Sequence, residues 1–166
     1  MYFLKFKKIC LCLCLLIISL PSFAISMKSF YELTLSILSY VQWDTEDHIF
    51  CVINSEELAK NFNQTAKQNK YSYKIISFSH TVPLNIGCNI VFFSSDTPIQ
   101  SQNTILRQLK YSPLSFTMND HDCDTAITFC LYRRKDDFTF NINLDALSHS
   151  KYHLDSRVLL LVKENN

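Results

Sequence analysis

Glycine is the residue that this sequence most lacks, because its 166 residues include a single one, Gly87. Phosphate-binding P-loops and dinucleotide-binding fingerprints need several glycines at fixed spacing, since the backbone must approach the phosphates closely. A nucleophile elbow of the GxSxG type needs two. The sequence therefore excludes these routes to nucleotide binding and hydrolysis. Its turns must be formed by Asn, Asp, Ser and Pro, which set turn geometry in other ways.

An excess of charge of either sign is also missing. The chain has 16 basic and 15 acidic residues, and its formal net charge is +1. Proteins that bind nucleic acid or anionic lipid through electrostatics carry a clustered basic surface. We therefore expect no nucleic-acid partner. The chain also lacks a CxxC motif, which argues against a thioredoxin-type oxidoreductase.

The N-terminus has the pattern of a secretory signal peptide. Three lysines within residues 5–8 precede an unbroken apolar run at residues 9–20, and small residues at 22 and 24 suit a cleavage site. Because a membrane span needs about 20 apolar residues, the run is short for an anchor, although an uncleaved anchor remains the alternative. We predict a signal peptide over residues 1–24 and one periplasmic domain over residues 25–166. Losing three lysines and no acidic residue would change the formal net charge from +1 to −2.

Four of the seven cysteines lie outside this leader: Cys51, Cys88, Cys123 and Cys130. An even number in an exported chain predicts two disulfides, for which three connectivities exist. We prefer Cys51–Cys88, because both residues lie at the edges of predicted strands that could be neighbours. The remaining pair, Cys123–Cys130, then closes a short loop.

Hydrophobic periodicity predicts an α/β fold, which begins helix, strand, helix, strand and includes an antiparallel hairpin near the C-terminus. A capping-box pattern at Asn54 and Glu57 predicts where the second helix begins. The predicted helices cover residues 27–42, 54–69, 94–109, 143–147 and 158–162, and the predicted strands cover residues 48–53, 71–76, 89–93, 114–118, 127–132 and 138–142.

The histidines do not form a persuasive metal site. His149 and His153 are four residues apart, and on one helix this spacing would place both rings on one face. However, the segment between them lies between two predicted helices, and no HExxH pattern is present. His121 precedes Cys123 by two residues, but an exported cysteine is expected to be oxidised. We therefore expect no metal, no cofactor and no catalytic residue, since no nucleophile–base arrangement is visible.

Two aromatic residues at the end of the first predicted helix, Tyr40 and Trp43, are the weak candidates for partner binding. Trp43 is the only tryptophan of the chain. It could be an exposed anchor for a partner protein, or an aromatic residue that packs the helix end against the sheet. We favour the packing interpretation.

Several segments together resemble the YfiR family of bacterial proteins. The resemblance covers nearly all of the chain after the leader, and it includes the seven-residue spacing from Cys123 to Cys130. One departure is Asp44, where many relatives have proline. Another is the scarcity of glycine before Cys130. The similar segments are ILSY with the following Trp43, IGCNIVFF at residues 86–93, DTP at residues 96–98, FTFNINLDALSHS at residues 138–150 and LLL at residues 159–161.

The resemblance implies a function as well as a fold. Members of the YfiR family are periplasmic repressors of an inner-membrane diguanylate cyclase, YfiN-like, and are sequestered by a YfiB-like outer-membrane lipoprotein. The resemblance also implies an α/β fold with a central mixed β-sheet flanked by helices, and frequent homodimers. It further implies the disulfides Cys51–Cys88 and Cys123–Cys130, with roles in folding and redox sensitivity. On this basis we expect a non-enzymatic negative regulator that lowers cyclic-di-GMP signalling and biofilm formation. In this framework Asn143 and Asp145 shape the turn from strand to helix.

A second function from another class stays open. The domain could be a periplasmic sensor that binds a small ligand and reports to a histidine kinase or a transporter. The neighbouring gene would discriminate, because a membrane protein with a GGDEF domain supports the repressor and a kinase or transporter supports the sensor.

Overall fold

The computed structural model describes residues 29–44, 48–79, 87–109, 112–119, 123, 125–135 and 137–163. The predicted signal peptide lies outside these residues. The α-helices are α1 (Phe30–Leu38), α2 (Glu56–Gln68), α3 (Ile99–Gln108), α4 (Leu144–His149) and α5 (Leu160–Lys163), with a 3₁₀ turn at Ser156–Leu159. The strands are β1 (Val41–Gln42), β2 (Ile49–Ile53), β3 (Lys74–Phe78), β4 (Ile90–Phe93), β5 (Leu114–Thr117), β6 (Phe129–Arg134), β7 (Asp137–Ile142) and β8 (His153–Leu154).

Six strands form a mixed sheet in the order β3-β2-β4-β5-β6-β7. The first five are parallel, and β7 runs antiparallel to β6, with Arg134 opposite Asp137. Lys135 follows β6 in the left-handed region, with φ of 54°, as tight hairpin turns require. The predicted fold class, a mixed sheet with helices and a C-terminal hairpin, is confirmed.

The helices α1 and α2 cover one face of the sheet. Alternate residues of a strand point to one side, and on this side the strands contribute fully buried phenylalanines that meet Phe62 of α2. The rings of Phe62 and Phe92 lie 4.9 Å apart in an edge-to-face arrangement, and those of Phe116 and Phe129 stack at 4.7 Å. The main hydrophobic core therefore lies between these two helices and the sheet.

The opposite face is covered by α3 and carries both disulfides. The side chains of Val91 and Phe93 point to this face and pack with Ile105 of α3. All four cysteines belong to the same buried cluster, and their pairing is Cys51–Cys88 and Cys123–Cys130, as predicted. The sequences of β2 and β4 are continuous apolar runs because both faces of these central strands are buried.

Several predicted boundaries are wrong by a few residues. The first helix does not extend to residue 42; it begins with a capping box in which Ser29 and Glu32 bond reciprocally, and it ends at Leu38. Val41 then enters β1, which pairs with Leu154 of β8 in a second, two-stranded sheet that we did not predict. The edge strand begins at Lys74 rather than at residue 71.

The cap of α2 is also displaced from the prediction. Ser55, with extended φ of −151°, is the N-cap, and its side chain accepts from Leu58 N at 3.1 Å. Asn54 instead has φ of 63°, which an N-cap residue does not adopt. Its backbone N donates to Phe78 O at 2.7 Å. Pairing with the end of β3 therefore decides the conformation of Asn54.

Candidate functional site

Asn143 connects the Cys123–Cys130 loop to helix α4. Its Oδ1 accepts from Ala146 N at 2.9 Å, which caps the helix. Its Nδ2 donates to the carbonyls of Cys123, at 3.1 Å, and Thr125, at 2.7 Å. One half-buried amide thus satisfies three backbone groups. The predicted role of Asn143 in the strand-to-helix turn agrees with this geometry.

Asp145 takes part in the same turn from the solvent side. Its backbone carbonyl lies 2.8 Å from Nδ1 of His149, and its carboxylate lies 4.0 Å from the same nitrogen. The side chains of both residues are largely exposed. The pair therefore stabilises the helix by a local contact one turn apart.

The two disulfides differ in position although both are buried. Cys51–Cys88 joins the middle of β2 to a residue two positions before the start of β4, and it closes a long loop. Cys123–Cys130 joins a loop residue with φ of 61° to β6. Cys130 is fully buried and Cys123 is 7% exposed. The second bridge thus lies directly under the loop that Asn143 holds.

Trp43 packs near the C-terminal end of helix α1. Its ring stacks on His48 at 4.2 Å and meets Tyr152 edge-on at 5.1 Å. Its Nε1 donates to Leu38 O at 3.3 Å. Burial raises the pKa of the neighbouring Tyr73 to about 12, in line with a poorly solvated aromatic cluster. Trp43 is half-buried, and these contacts are those of a packing residue.

Tyr40 contributes a backbone hydrogen bond next to this cluster. Its carbonyl accepts from Asp155 N at 2.8 Å, next to the pairing of β1 with β8. Its side chain is half-buried. The structure thus brings Tyr40 and Trp43 to the two ends of β1, while the disulfide cysteines lie on the far face of the main sheet.

A groove of mixed polar and apolar lining next to β8 was not predicted. It has a volume of about 340 Å³ and lies between α4 and β8, where it is lined by Leu144, Leu147, Tyr152, His153 and Leu154 among others. Leu144 is 72% exposed, although it follows the helix cap directly. Leu147 and Leu154 beside it are half-buried, and Ser148, Ser150 and His153 supply polar atoms to the same lining. The run NLDAL contains these leucines, but only the β1–β8 pairing brings Leu154 to them.

The two histidines that are four residues apart, His149 and His153, lie on different elements. His149 ends α4 and His153 begins β8, so they do not share a helical face. Across the described ranges, no group of three or more His, Cys, Asp or Glu residues could hold a metal ion. His121 lies outside those ranges. No helix within them is long and apolar enough to cross a membrane.

A comparison with protein-family models identifies the family of this chain. The model described as YfiR/HmsC-like matches residues 31–163, from the first turn of α1 to the end of α5. The matched region contains both disulfides, the groove and Asn143. The family is regulatory rather than catalytic, and the match supports a periplasmic regulator of cyclic-di-GMP signalling. The chain belongs to the YfiR/HmsC-like family.

Proposed function

We propose that this protein is a periplasmic repressor that binds the periplasmic domain of an inner-membrane diguanylate cyclase, YfiN-like, and lowers cyclic-di-GMP output. Family membership over residues 31–163 carries the proposal. A repressor of this kind acts by population shift, because it must bind the inactive cyclase more tightly than the active one. Shifting the ratio of the two states from 99:1 to 1:99 needs about 5.5 kcal/mol of differential affinity.

The groove between α4 and β8 is the surface that we assign to the cyclase. Leu144 stands out from it, while Leu147 and Leu154 are half-buried in its walls. Interfaces concentrate their binding energy in a few anchor residues that become fully desolvated in the complex. The groove supplies such anchors on a helix and a strand that the Asn143 hydrogen bonds and the β1–β8 pairing hold in place.

Deleting the gene tests the function in the cell. We expect cyclic-di-GMP and biofilm to rise, and plasmid-borne wild-type protein to restore both. Unchanged cyclic-di-GMP in a strain that demonstrably expresses the cyclase would contradict the proposal and favour the ligand-sensor alternative.

Binding to the isolated periplasmic domain of the cyclase tests the surface. Leu144→Ser removes the most exposed apolar side chain of the groove, and Leu159→Ser is the matched control, since Leu159 is 54% exposed and does not line it. We expect Leu144→Ser to weaken binding by about tenfold or more and Leu159→Ser to leave it unchanged. Equal binding by both variants would place the interface elsewhere.

The lipoprotein partner and the redox dependence belong to the same proposal. A YfiB-like outer-membrane lipoprotein would release the cyclase by competing for the repressor, and a homodimer would present two copies of the groove. The pull-down with the cyclase domain should therefore be run with and without the lipoprotein, and with and without reductant. Loss of binding only after reduction would identify a redox switch, and equal binding would identify structural bridges.

A further inference from the structure

A cavity lies on a different side of α4 from the groove. It has a volume of about 260 Å³ and is bounded by the end of α3, the start of β5, the loop before β6 and α4. No residue that lines this cavity also lines the groove. From the cap to the end of α4, the cavity is lined by Asn143, Asp145, Ala146 and His149, and the groove is lined by Leu144, Leu147 and Ser148.

Two buried hydroxyl side chains, those of Ser115 and Thr128, line this cavity from the sheet. They are only 1% and 2% exposed. Strands β5 and β6 pair from Phe116 and Phe129 onward, and one residue earlier these side chains replace the backbone ladder. Thr128 N donates to Ser115 Oγ at 2.9 Å, and Ser115 N donates to Thr128 Oγ1 at 3.4 Å. Each hydroxyl oxygen therefore already accepts a backbone hydrogen.

This arrangement leaves one hydroxyl hydrogen without an acceptor. Each of the two hydroxyls has one hydrogen to donate, and the contact between the two oxygens, at 3.2 Å, uses only one of them. Across the described residues, the two hydroxyls make no hydrogen bond besides these three. A buried donor without an acceptor is destabilising, and buried polar groups of native proteins nearly always have a partner. Since both residues line the cavity, an acceptor bound there would satisfy the remaining hydrogen.

The rest of the lining supplies a cation and apolar walls. Arg107, in the last turn of α3, is exposed at the cavity, and its guanidinium has five donors and no acceptor. Leu106 and Pro113 contribute apolar surface. The two other titratable groups of the lining, Asp145 and His149, have side chains that are 89% and 72% exposed, and they lie 4.0 Å from each other. The Asp145 carboxylate is therefore well solvated, and solvent screens its repulsion of an anion.

We propose that this cavity binds a small aliphatic carboxylate. A carboxylate only accepts hydrogen bonds, so it can take the remaining hydrogen of the Ser115–Thr128 pair and form a charge-assisted pair with the Arg107 guanidinium. Leu106 and Pro113 would cover its hydrocarbon body. An amine would leave the hydroxyl hydrogen without an acceptor. Because the cavity is smaller than the sites of about 300–1,000 Å³ that hold drug-sized ligands, it suits an acid of about four to six carbons.

This site does not depend on the repressor function, because it shares no lining residue with the groove. Calorimetric titration of the protein purified from the periplasm with butyrate tests it. Butyramide is the uncharged analogue, and inorganic phosphate is an anion without a hydrocarbon body. We expect saturable binding of butyrate alone. Arg107→Gln should weaken this binding about tenfold, and Arg133→Gln is the matched control, since Arg133 is exposed and does not line the cavity.

A second variant tests the cavity without changing its charge. Ala146 lines the cavity from α4, and Ala146→Leu would fill the space with a side chain that helices accept well. We expect this variant to keep the circular dichroism spectrum of the wild type and to lose butyrate binding. In ¹H–¹⁵N correlation spectra of the wild type, the backbone amide of Thr128, which donates to Ser115 Oγ, should shift with the same saturation curve as the heat.

Four results would overturn the proposal. The first is the absence of saturable heat at millimolar butyrate. The second is equal binding of butyramide or phosphate, which would show that the carboxylate and its hydrocarbon body are not recognised together. The third is equal weakening by Arg133→Gln, which would show attraction to surface charge alone. The fourth is an unshifted Thr128 amide or unchanged binding by Ala146→Leu, either of which would place the ligand outside the cavity.

Discussion

Replacing Asn143 by alanine should destabilise the protein far more than its half-buried position suggests. The side chain caps α4 through Ala146 N, and it donates to the carbonyls of Cys123 and Thr125. Loss of an N-cap costs about 1 kcal/mol, and loss of each further hydrogen bond costs about another 1 kcal/mol. We expect Asn143→Ala to lower the free energy of unfolding by about 2–3 kcal/mol, against a typical total of about 5–15 kcal/mol.

A serine variant separates the two roles of Asn143. Serine is a good N-cap residue, but its side chain is too short to donate to both carbonyls of the loop. Asn143→Ser should therefore recover about 1 kcal/mol of the loss and leave the remainder. Ser148→Ala is the control, because Ser148 is exposed in the same helix. Its hydroxyl makes local contacts, a hydrogen bond to Asp145 O and a contact with Nδ1 of the adjacent His149. We expect its effect to stay within about 0.5 kcal/mol.

Urea unfolding without reductant, followed by far-ultraviolet circular dichroism, measures these differences while both disulfides stay closed. Unchanged slopes of the unfolding curves would show that the variants alter stability rather than the compactness of the unfolded state. If Asn143→Ala lowers stability by less than 0.5 kcal/mol, a magnitude ordinary for surface changes, then the three hydrogen bonds do not hold the loop and the reasoning fails.

Three further predictions concern the bridges and the aromatic cluster. The Cys51–Cys88 bridge has a sequence separation of 37 and the Cys123–Cys130 bridge one of 7. In urea unfolding, replacing the first pair by alanine should lower the free energy of unfolding by about 4 kcal/mol, and replacing the second pair should lower it by about 2.5 kcal/mol. The reverse order would contradict the loop-entropy argument. The pKa of Tyr73 is raised from 10.0 to about 12 in the folded state, so its contribution to stability is complete below pH 10 and is lost as pH rises toward 12. The Tyr73→Phe variant should therefore lose less free energy of unfolding than the wild type between pH 10 and pH 12, and an identical loss in both proteins would refute this prediction. Trp43→Ala should cost about 2–3 kcal/mol and Trp43→Phe about 1 kcal/mol, for the missing bond to Leu38 O; equal losses would show that ring packing is unimportant.

The centre of the main sheet could be predicted because its strands β2, β4 and β5 are buried on both faces. Ile90–Phe93 is apolar at every position, and all four residues are buried, as expected for a central parallel strand. The cysteines could be paired because Cys51 lies in one such strand, Cys88 lies just before another, and the other two are close in sequence. The family resemblance pointed to the same pairs. In these cases the local pattern and the tertiary structure agree.

The remaining features depend on contacts between residues distant in sequence. β1 and β8 have two residues each, too few to show a period, and they form only because Val41 lies opposite Leu154. Asn54 and Ser55 are both good caps by composition, and the hydrogen bond from Asn54 to the end of β3 decides between them. The groove follows from the same pairing, since β8 brings Leu154 alongside α4. No local propensity encodes these contacts.

The Cys123–Cys130 bridge and Asn143 hold the same loop by contributions of similar size. The bridge contributes about 2.5 kcal/mol, and the two hydrogen bonds from Asn143 to the loop carbonyls contribute about 2 kcal/mol together. Reduction alone therefore leaves Cys123 and Thr125 held by the amide, and α4 keeps its cap. Loss of both restraints would release the loop and the start of α4, where Leu144 lines the groove. Reduction of the Cys123–Cys130 bridge can therefore alter the groove only if the hydrogen bonds from Asn143 to the loop carbonyls also break.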